Sequence, residues 1–108
     1  MRHALVLASL VALLSPAAVG LPTAHIWKAH CKSCHGLDGK AKTLMGHKKH
    51  VPDMTTAKFI DDPKHTDQWM ADAIKNGVPN TKMKAFGDRL DGPQIDALVA
   101  YVRALQHK

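Results

Sequence analysis

Residues 31–35 read Cys-Lys-Ser-Cys-His and carry the most specific chemical signal in the chain. Two thiols at this spacing can add to the two vinyl groups of one haem, and the adjacent histidine then offers a ring nitrogen to the iron. Cys31 and Cys34 are the only cysteines in the sequence, so no other disulfide or thiolate site competes for them. The motif therefore predicts one haem c, covalently attached through Cys31 and Cys34, with His35 as an iron ligand.

Two other chemistries use a pair of cysteines at this spacing. A thiol–disulfide enzyme of the thioredoxin type needs a βαβ context, and no stretch of this sequence shows the alternation of a strand. A zinc site needs four ligands and would have to recruit distant histidines. The histidine directly after the second cysteine favours haem attachment over both.

The first twenty residues have the pattern of a secretory signal. Arg2 supplies a positive start, an apolar run from Ala4 to Leu14 is broken only by Ser9, and small residues lead to Gly20. The run has eleven residues, whereas a membrane span needs about 20. We therefore expect the signal to be cleaved near residue 20 and the protein to have no transmembrane segment. An uncleaved anchor is the alternative. Thioether attachment takes place outside the cytoplasm, so the bacterial periplasm is the expected location.

The predicted domain, residues 21–108, is close to the size at which a protein core alone is marginal. A buried haem adds a large apolar surface around which the chain can pack. We therefore expect the haem to be part of the core and the haem-free chain to be poorly folded.

The charge of this domain is basic, since 14 lysines and arginines against 9 aspartates leave a formal charge of +5. A basic surface favours an acidic partner or an anionic surface, although solubility alone would also explain it. Nothing in the sequence resembles a recognition helix or an aromatic nucleic-acid-binding sheet, so nucleic acid is not an expected partner.

The spacing of apolar and helix-capping residues predicts an all-α fold with about four to five short helices and two long loops. The last helix is the clearest, because Asp91 and Gln94 form a capping-box pair before an apolar face. The predicted elements are a helix from Thr23 to Ser33, a loop from Gly36 to Pro52, a short helix capped by Thr55 or Thr56, a helix from Thr66 to Asn76 capped by Gly77, a loop from Val78 to about Leu90, and the last helix after Asp91.

The second axial ligand of the iron is a separate question, for which methionine and histidine are both candidates. Met83 lies in a loop stiffened by Pro79, and Met45 in the basic loop is its nearest rival. Met54 and Met70 have the placement of core residues. His47 and His50 could hold a metal, but two histidines among lysines are more typical of a solvated loop.

The order of these motifs resembles that of the class I c-type cytochromes, in particular the small bacterial proteins with a single haem. The resemblance covers about Thr23 to Leu105, nearly the whole predicted domain. Four segments carry it: Cys31 to Lys40 resembles the haem-attachment stretch, Val51 to Thr55 the Pro-Asp-Leu-Thr segment, Asn76 to Met83 the loop with the axial methionine, and Leu98 to Arg103 the last helix.

The resemblance implies a role for several residues. It implies that His35 and Met83 are the two iron ligands and that the Pro52 carbonyl accepts a hydrogen bond from His35 Nδ1. It also implies that Thr81 bonds a haem propionate and that Trp27 and Tyr101 pack where the first and last helices cross. The fold it implies is a cytochrome c fold wrapped around one covalent haem.

Together these features predict a single-electron carrier rather than an enzyme. We expect a monomer that exchanges electrons with acidic redox proteins or with membrane respiratory complexes. The alternatives are a haem-binding subunit of a larger respiratory or oxidase complex, and a haem peroxidase or ligand sensor with an open iron.

Overall fold

The computed structural model describes residues 21–108 as six helices joined by loops, with no strand in that range. The helices are α1 Thr23–His30, α2 Lys32–His35, α3 Leu44–Lys48, α4 Ala57–Ile60, α5 Asp67–Asn76 and α6 Gly92–Gln106. The all-α prediction is confirmed, with six helices in place of four to five. The predicted secretory signal, residues 1–20, lies outside the described residues. None of the helices between residues 21 and 108 is long and apolar enough to cross a membrane.

The two additional helices come from the region around the Cys-x-x-Cys-His motif. The predicted helix from Thr23 to Ser33 is interrupted at Cys31 and becomes α1 and α2. Helix α3 forms inside the segment that was predicted to be a loop. Its N-cap is Thr43, whose hydroxyl accepts a hydrogen bond from the Gly46 N–H at 2.8 Å. A capping threonine before an apolar pair was the sequence signal for this helix.

Gly46 lies where α3 packs against the end of α2. A Cβ built there would be 2.5 Å from the Cys34 carbonyl oxygen and would also overlap the Ala41 carbonyl oxygen. Only glycine fits without moving the backbone of the Cys-x-x-Cys-His segment.

We therefore expect Gly46→Ala to lower the free energy of unfolding by about 3 kcal/mol, because two backbone oxygens must move to admit the methyl group. Gly92→Ala is the control, since a Cβ at Gly92 meets nothing within 4 Å, and we expect it to change stability by less than about 1 kcal/mol. Denaturant unfolding of the haem-loaded protein measures both. Equal stabilities for the two variants would contradict this packing.

The predicted caps of the later helices are confirmed. Thr56 accepts from the Phe59 N–H, and Thr66 accepts from the Trp69 N–H. At α6, Asp91 and Gln94 form both bonds of the capping box, at 2.8 and 2.9 Å. These bonds satisfy amide groups that have no partner inside the helix.

Helix α6 supplies the largest part of the core and packs against α1 and α5. Leu98, at its centre, is completely buried. The whole apolar face predicted for this helix is buried: Ile95, Leu98, Val99, Val102 and Leu105. Residues from the loops complete the same core, among them Met54 and Phe86.

Two polar side chains of α6 tie the loops to this core. The Arg103 guanidinium pairs with Asp67 at 2.8 Å and donates to the His65 carbonyl oxygen at 2.8 Å. Arg103 also donates to Gln106, whose buried side-chain amide donates to the Met54 carbonyl oxygen at 2.9 Å. Helix α6 thereby fixes the segment that contains Pro52 and Met54.

Candidate haem-binding site

The two thiols of the motif lie where α1 meets α2. Cys31 separates the two helices, and Cys34 lies within α2; both thiols are free and half-buried. The Cys31 side chain packs against the core. Burial, and to a lesser degree the nearby Cys34, raises the pKa of Cys31 to about 11, so this thiol is protonated at neutral pH.

His35 ends α2 and is followed by Gly36, which takes a positive φ of 80°. Burial lowers the pKa of His35, so the ring is neutral at pH 7. Its Nδ1 atom is buried and has no hydrogen-bond partner among residues 21–108. A neutral imidazole held in place is the form of histidine that binds a metal.

The hydrogen bond predicted between His35 Nδ1 and the Pro52 carbonyl oxygen is not formed in this structure. Pro52 is exposed, and its segment is anchored two residues later, where the Met54 N–H donates to the Gly39 carbonyl oxygen at 3.1 Å. The role of Pro52 as the acceptor stays a prediction for the haem-loaded protein.

Trp27 connects the motif to the helix crossing. Its indole N–H donates to the Gly36 carbonyl oxygen at 2.9 Å, and its ring centroid lies 5.8 Å from that of His35. On its other side the Tyr101 ring centroid is 5.3 Å away. The predicted contact between Trp27 and Tyr101 at the crossing of α1 and α6 is therefore confirmed.

Met83 lies in the loop between α5 and α6, and its half-buried side chain packs against the same core as Cys31. The Met83 N–H donates to the Thr81 hydroxyl at 3.1 Å, and that hydroxyl donates to the Val78 carbonyl oxygen at 2.8 Å. Gly77 is required beneath this turn, because it has a φ of 78° and a Cβ there would be 2.8 Å from the Met83 carbonyl oxygen. The loop is thus built to hold Met83 in one place.

The far end of the same loop is bound to the end of α5. The Phe86 N–H donates to the Ile74 carbonyl oxygen at 2.8 Å, and the Gly87 N–H donates to the Lys75 carbonyl oxygen at 3.0 Å. The rival ligand Met45 lies in α3, ten residues after His35 in the sequence, and is half-buried. Thr81 is exposed, and its proposed bond to a propionate remains a prediction.

These features fit a haem group. Two free thiols lie on one turn of helix, a neutral histidine follows them, and a methionine side chain packs at the edge of the same core. Two thiols, a neutral imidazole and a thioether are the groups that covalent haem attachment and axial ligation use. In the part of the chain that the structure describes, no group of three or more metal-binding side chains offers a different metal site.

Comparison with known proteins identifies the family of this chain. The family model described as "Cytochrome C oxidase, cbb3-type, subunit III" matches residues 21–102. The chain belongs to this family of c-type cytochromes. A solved structure described as "KustC0563 c-type cytochrome" has a TM-score of 0.69 and 28% sequence identity, with 80% of this chain and 99% of that chain covered. No curated protein sequence matches.

The family defines the role of this c-type cytochrome at a general level: it is a haem-binding electron carrier, and it has the cytochrome c fold that the sequence predicted. The structure adds one contact that sequence reasoning missed. The Thr43 hydroxyl donates to the Cys34 carbonyl oxygen at 3.0 Å, so the first loop braces the haem motif directly. The spacing of Thr43 before Gly46 indicates the cap of α3, but no signal in the sequence indicates the contact with Cys34.

Proposed function

We propose that this cytochrome carries single electrons in the periplasm with one haem c, bound through Cys31 and Cys34 and ligated by His35 and Met83. The observation that supports this most directly is that Cys31 and Met83, 52 residues apart, pack against one core. Neutral His35 lies at the end of the same helical segment as the two thiols. When bound, the haem supplies a reversible exchange of one electron at iron.

The protein residues would hold and tune that centre. Cys31 and Cys34 would fix it to α2, and His35 would present an unprotonated ring nitrogen. Met83 would contribute a sulfur, which favours ferrous over ferric iron and raises the potential. Because both ligands come from hydrogen-bonded segments, their positions would change little when the iron gains or loses an electron. The core on which Cys31 and Met83 pack would exclude water from the haem.

A potentiometric titration of the purified protein, followed by its optical spectrum, tests this function. We expect one reversible one-electron step with a positive midpoint potential, and a spectrum that carbon monoxide and cyanide leave unchanged. A ferrous protein that binds carbon monoxide readily would instead support a peroxidase or ligand sensor.

Four lysines near the haem segments are exposed in the structure and are proposed to steer acidic partners to the haem: Lys28, Lys32, Lys82 and Lys84. With ferricyanide as an anionic oxidant, we expect Lys82→Gln combined with Lys84→Gln to slow oxidation about threefold at low salt. The difference in oxidation rate between the double variant and the unmodified protein should vanish near 1 M salt, where charges are screened within about 3 Å. Stopped-flow absorbance measures the rate.

The matched control for this experiment is Lys75→Gln combined with Lys108→Gln, which removes the same charge at two other exposed positions. We expect this control to slow oxidation less than the change at Lys82 and Lys84 does. A rate that is independent of salt in all variants would leave these lysines no role beyond solubility.

A second candidate function is that of a fixed subunit in a larger respiratory complex. The name of the matching family, a subunit of a cbb3-type cytochrome c oxidase, favours it. Size-exclusion chromatography of a gentle extract distinguishes the two: a free carrier elutes at the mass of the single chain, whereas a subunit elutes with a large assembly.

A further inference from the structure

An open cavity of about 530 Å³ lies beside α3. We call it the α3 groove; its lining combines three basic residues, Lys42, His47 and His50, with three apolar residues, Ala41, Leu44 and Val51. None of the proposed haem residues Cys31, Cys34, His35 and Met83 lines it. The groove is therefore distinct from the proposed ligand set but lies next to it, since the Ala41 N–H donates to the His35 carbonyl oxygen and the Thr43 hydroxyl to the Cys34 carbonyl oxygen.

The groove lies within a strongly basic segment of the chain, and Lys42 is the lysine of that segment that lines it. Residues 37–52 contain four lysines and two histidines against a single aspartate, Asp38. The only ion pair among residues 21–108 joins Arg103 to Asp67, so Lys42 has no ion-pair partner there. The nearby acid Asp53 accepts from the Thr55 hydroxyl and N–H at 2.6 and 2.8 Å. Against the opposing effect of burial, these hydrogen bonds and, to a lesser degree, the charges of Lys40 and Lys42 lower the pKa of Asp53.

The surface of the groove also includes exposed apolar area. Leu44 is 73% exposed, the largest exposed fraction among the large hydrophobic side chains of residues 21–108. A concave surface that combines exposed apolar area with basic side chains is suited to a protein–protein contact.

The walls of the groove are preformed. Ala41 donates to the His35 carbonyl oxygen and Val51 donates to the Gly46 carbonyl oxygen, each at 2.9 Å. Of the three non-glycine residues with positive φ in the described chain, two line the groove, Ala41 at 57° and His50 at 56°. Strained backbone held by hydrogen bonds is common at functional surfaces, and a rigid surface loses little entropy when it binds.

We propose that the α3 groove is a docking surface for an acidic segment of a partner protein, which places carboxylates against Lys42, His47 and His50 and an apolar side chain against Leu44 and Val51. A concave groove fits an inserted side chain better than a membrane surface. Residues 1–20 contain no acidic residue and so lack the complementary charge. This inference goes beyond electron transfer, because it holds whether the partner exchanges electrons or anchors the cytochrome.

The test uses the ¹⁵N-labelled, haem-loaded, reduced protein and an acetylated, amidated peptide of sequence Glu-Glu-Leu-Glu-Glu. We expect the largest amide shift changes within residues 41–51. Lys42→Glu should weaken binding about tenfold, whereas Lys58→Glu, the same change of charge at an exposed position on α4, should weaken it less than about twofold. Leu44→Ser should weaken binding about threefold, and Leu37→Ser, at another exposed leucine, should not.

Four outcomes would overturn the proposal. Shift changes centred on Lys82 and Lys84 would place docking at the other lysines. Amide shift changes of equal size with inorganic phosphate, together with no effect of Leu44→Ser, would show that the groove attracts anions in general and does not recognise a peptide. Binding to vesicles of phosphatidylglycerol that depends on Lys42 would make it a membrane contact. A dimer in sedimentation equilibrium that Lys42→Glu dissociates would make the occupant a second copy of this chain.

Discussion

Met83→Ala is expected to lower the midpoint potential of the cytochrome by on the order of 100 mV and to remove the weak far-red absorption band of the oxidised protein. The proposed Met83 sulfur stabilises ferrous iron, so its loss favours the ferric state. The band arises from sulfur bound to ferric iron and disappears with the sulfur. Potentiometry and optical absorption measure the two effects.

The same variant should acquire affinity for small ligands. Without the Met83 side chain, one side of the iron is left to water, and carbon monoxide should bind the reduced protein. Because the loop is held by the Phe86 and Gly87 hydrogen bonds to α5, we expect the variant to keep its fold. Far-ultraviolet circular dichroism checks this point.

Met45→Ala is the matched control, since it removes the same side chain from a half-buried position in α3. We expect it to leave both the band and the potential unchanged. If Met45→Ala removes the band and Met83→Ala does not, the axial ligand is Met45 and the proposed ligation is wrong.

The second large effect concerns the thiols. With Cys31→Ala and Cys34→Ala combined, no haem should remain on the chain after denaturing electrophoresis, because both covalent attachments are lost. Mass spectrometry should show the mass of the chain alone. We also expect poor folding, since a domain of this size relies on the haem for much of its core.

Ser33→Ala provides the control, because Ser33 is exposed and lies between the two cysteines. It should retain the haem on the gel and the mass of chain plus haem. Each single cysteine variant should retain haem through one bond. A double variant that still carries haem after denaturation would show that the attachment is elsewhere.

Much of the fold was predictable from local sequence. The capping box of Asp91 and Gln94, the threonine caps of α4 and α5, and the apolar face of α6 act over three or four residues. Such short-range preferences can be read from a single sequence. The predicted contact between Trp27 and Tyr101 is also found, although it came from the resemblance to known cytochromes and not from spacing.

The first loop was predicted less well. Helix α3 has only five residues, and a helix of that length has little stability of its own in water. It is held by contacts outside the helix itself, in particular Thr43 with the Cys34 carbonyl oxygen and Gly46 against the end of α2. Contacts of this kind depend on where the chain returns in space, which residue spacing does not indicate.

The sequence by itself determined the chemistry of this protein: the cysteine pair, the adjacent histidine and the ordered motifs lead to haem, to the cytochrome c family and to electron transfer. Only the tertiary structure brought Cys31 and Met83 onto one core and buried His35 Nδ1 without a hydrogen-bond partner among residues 21–108. The physical reason is the range of the interactions. Chemical identity is a property of side chains and short spacings, whereas burial and juxtaposition result from the packing of segments far apart in the chain.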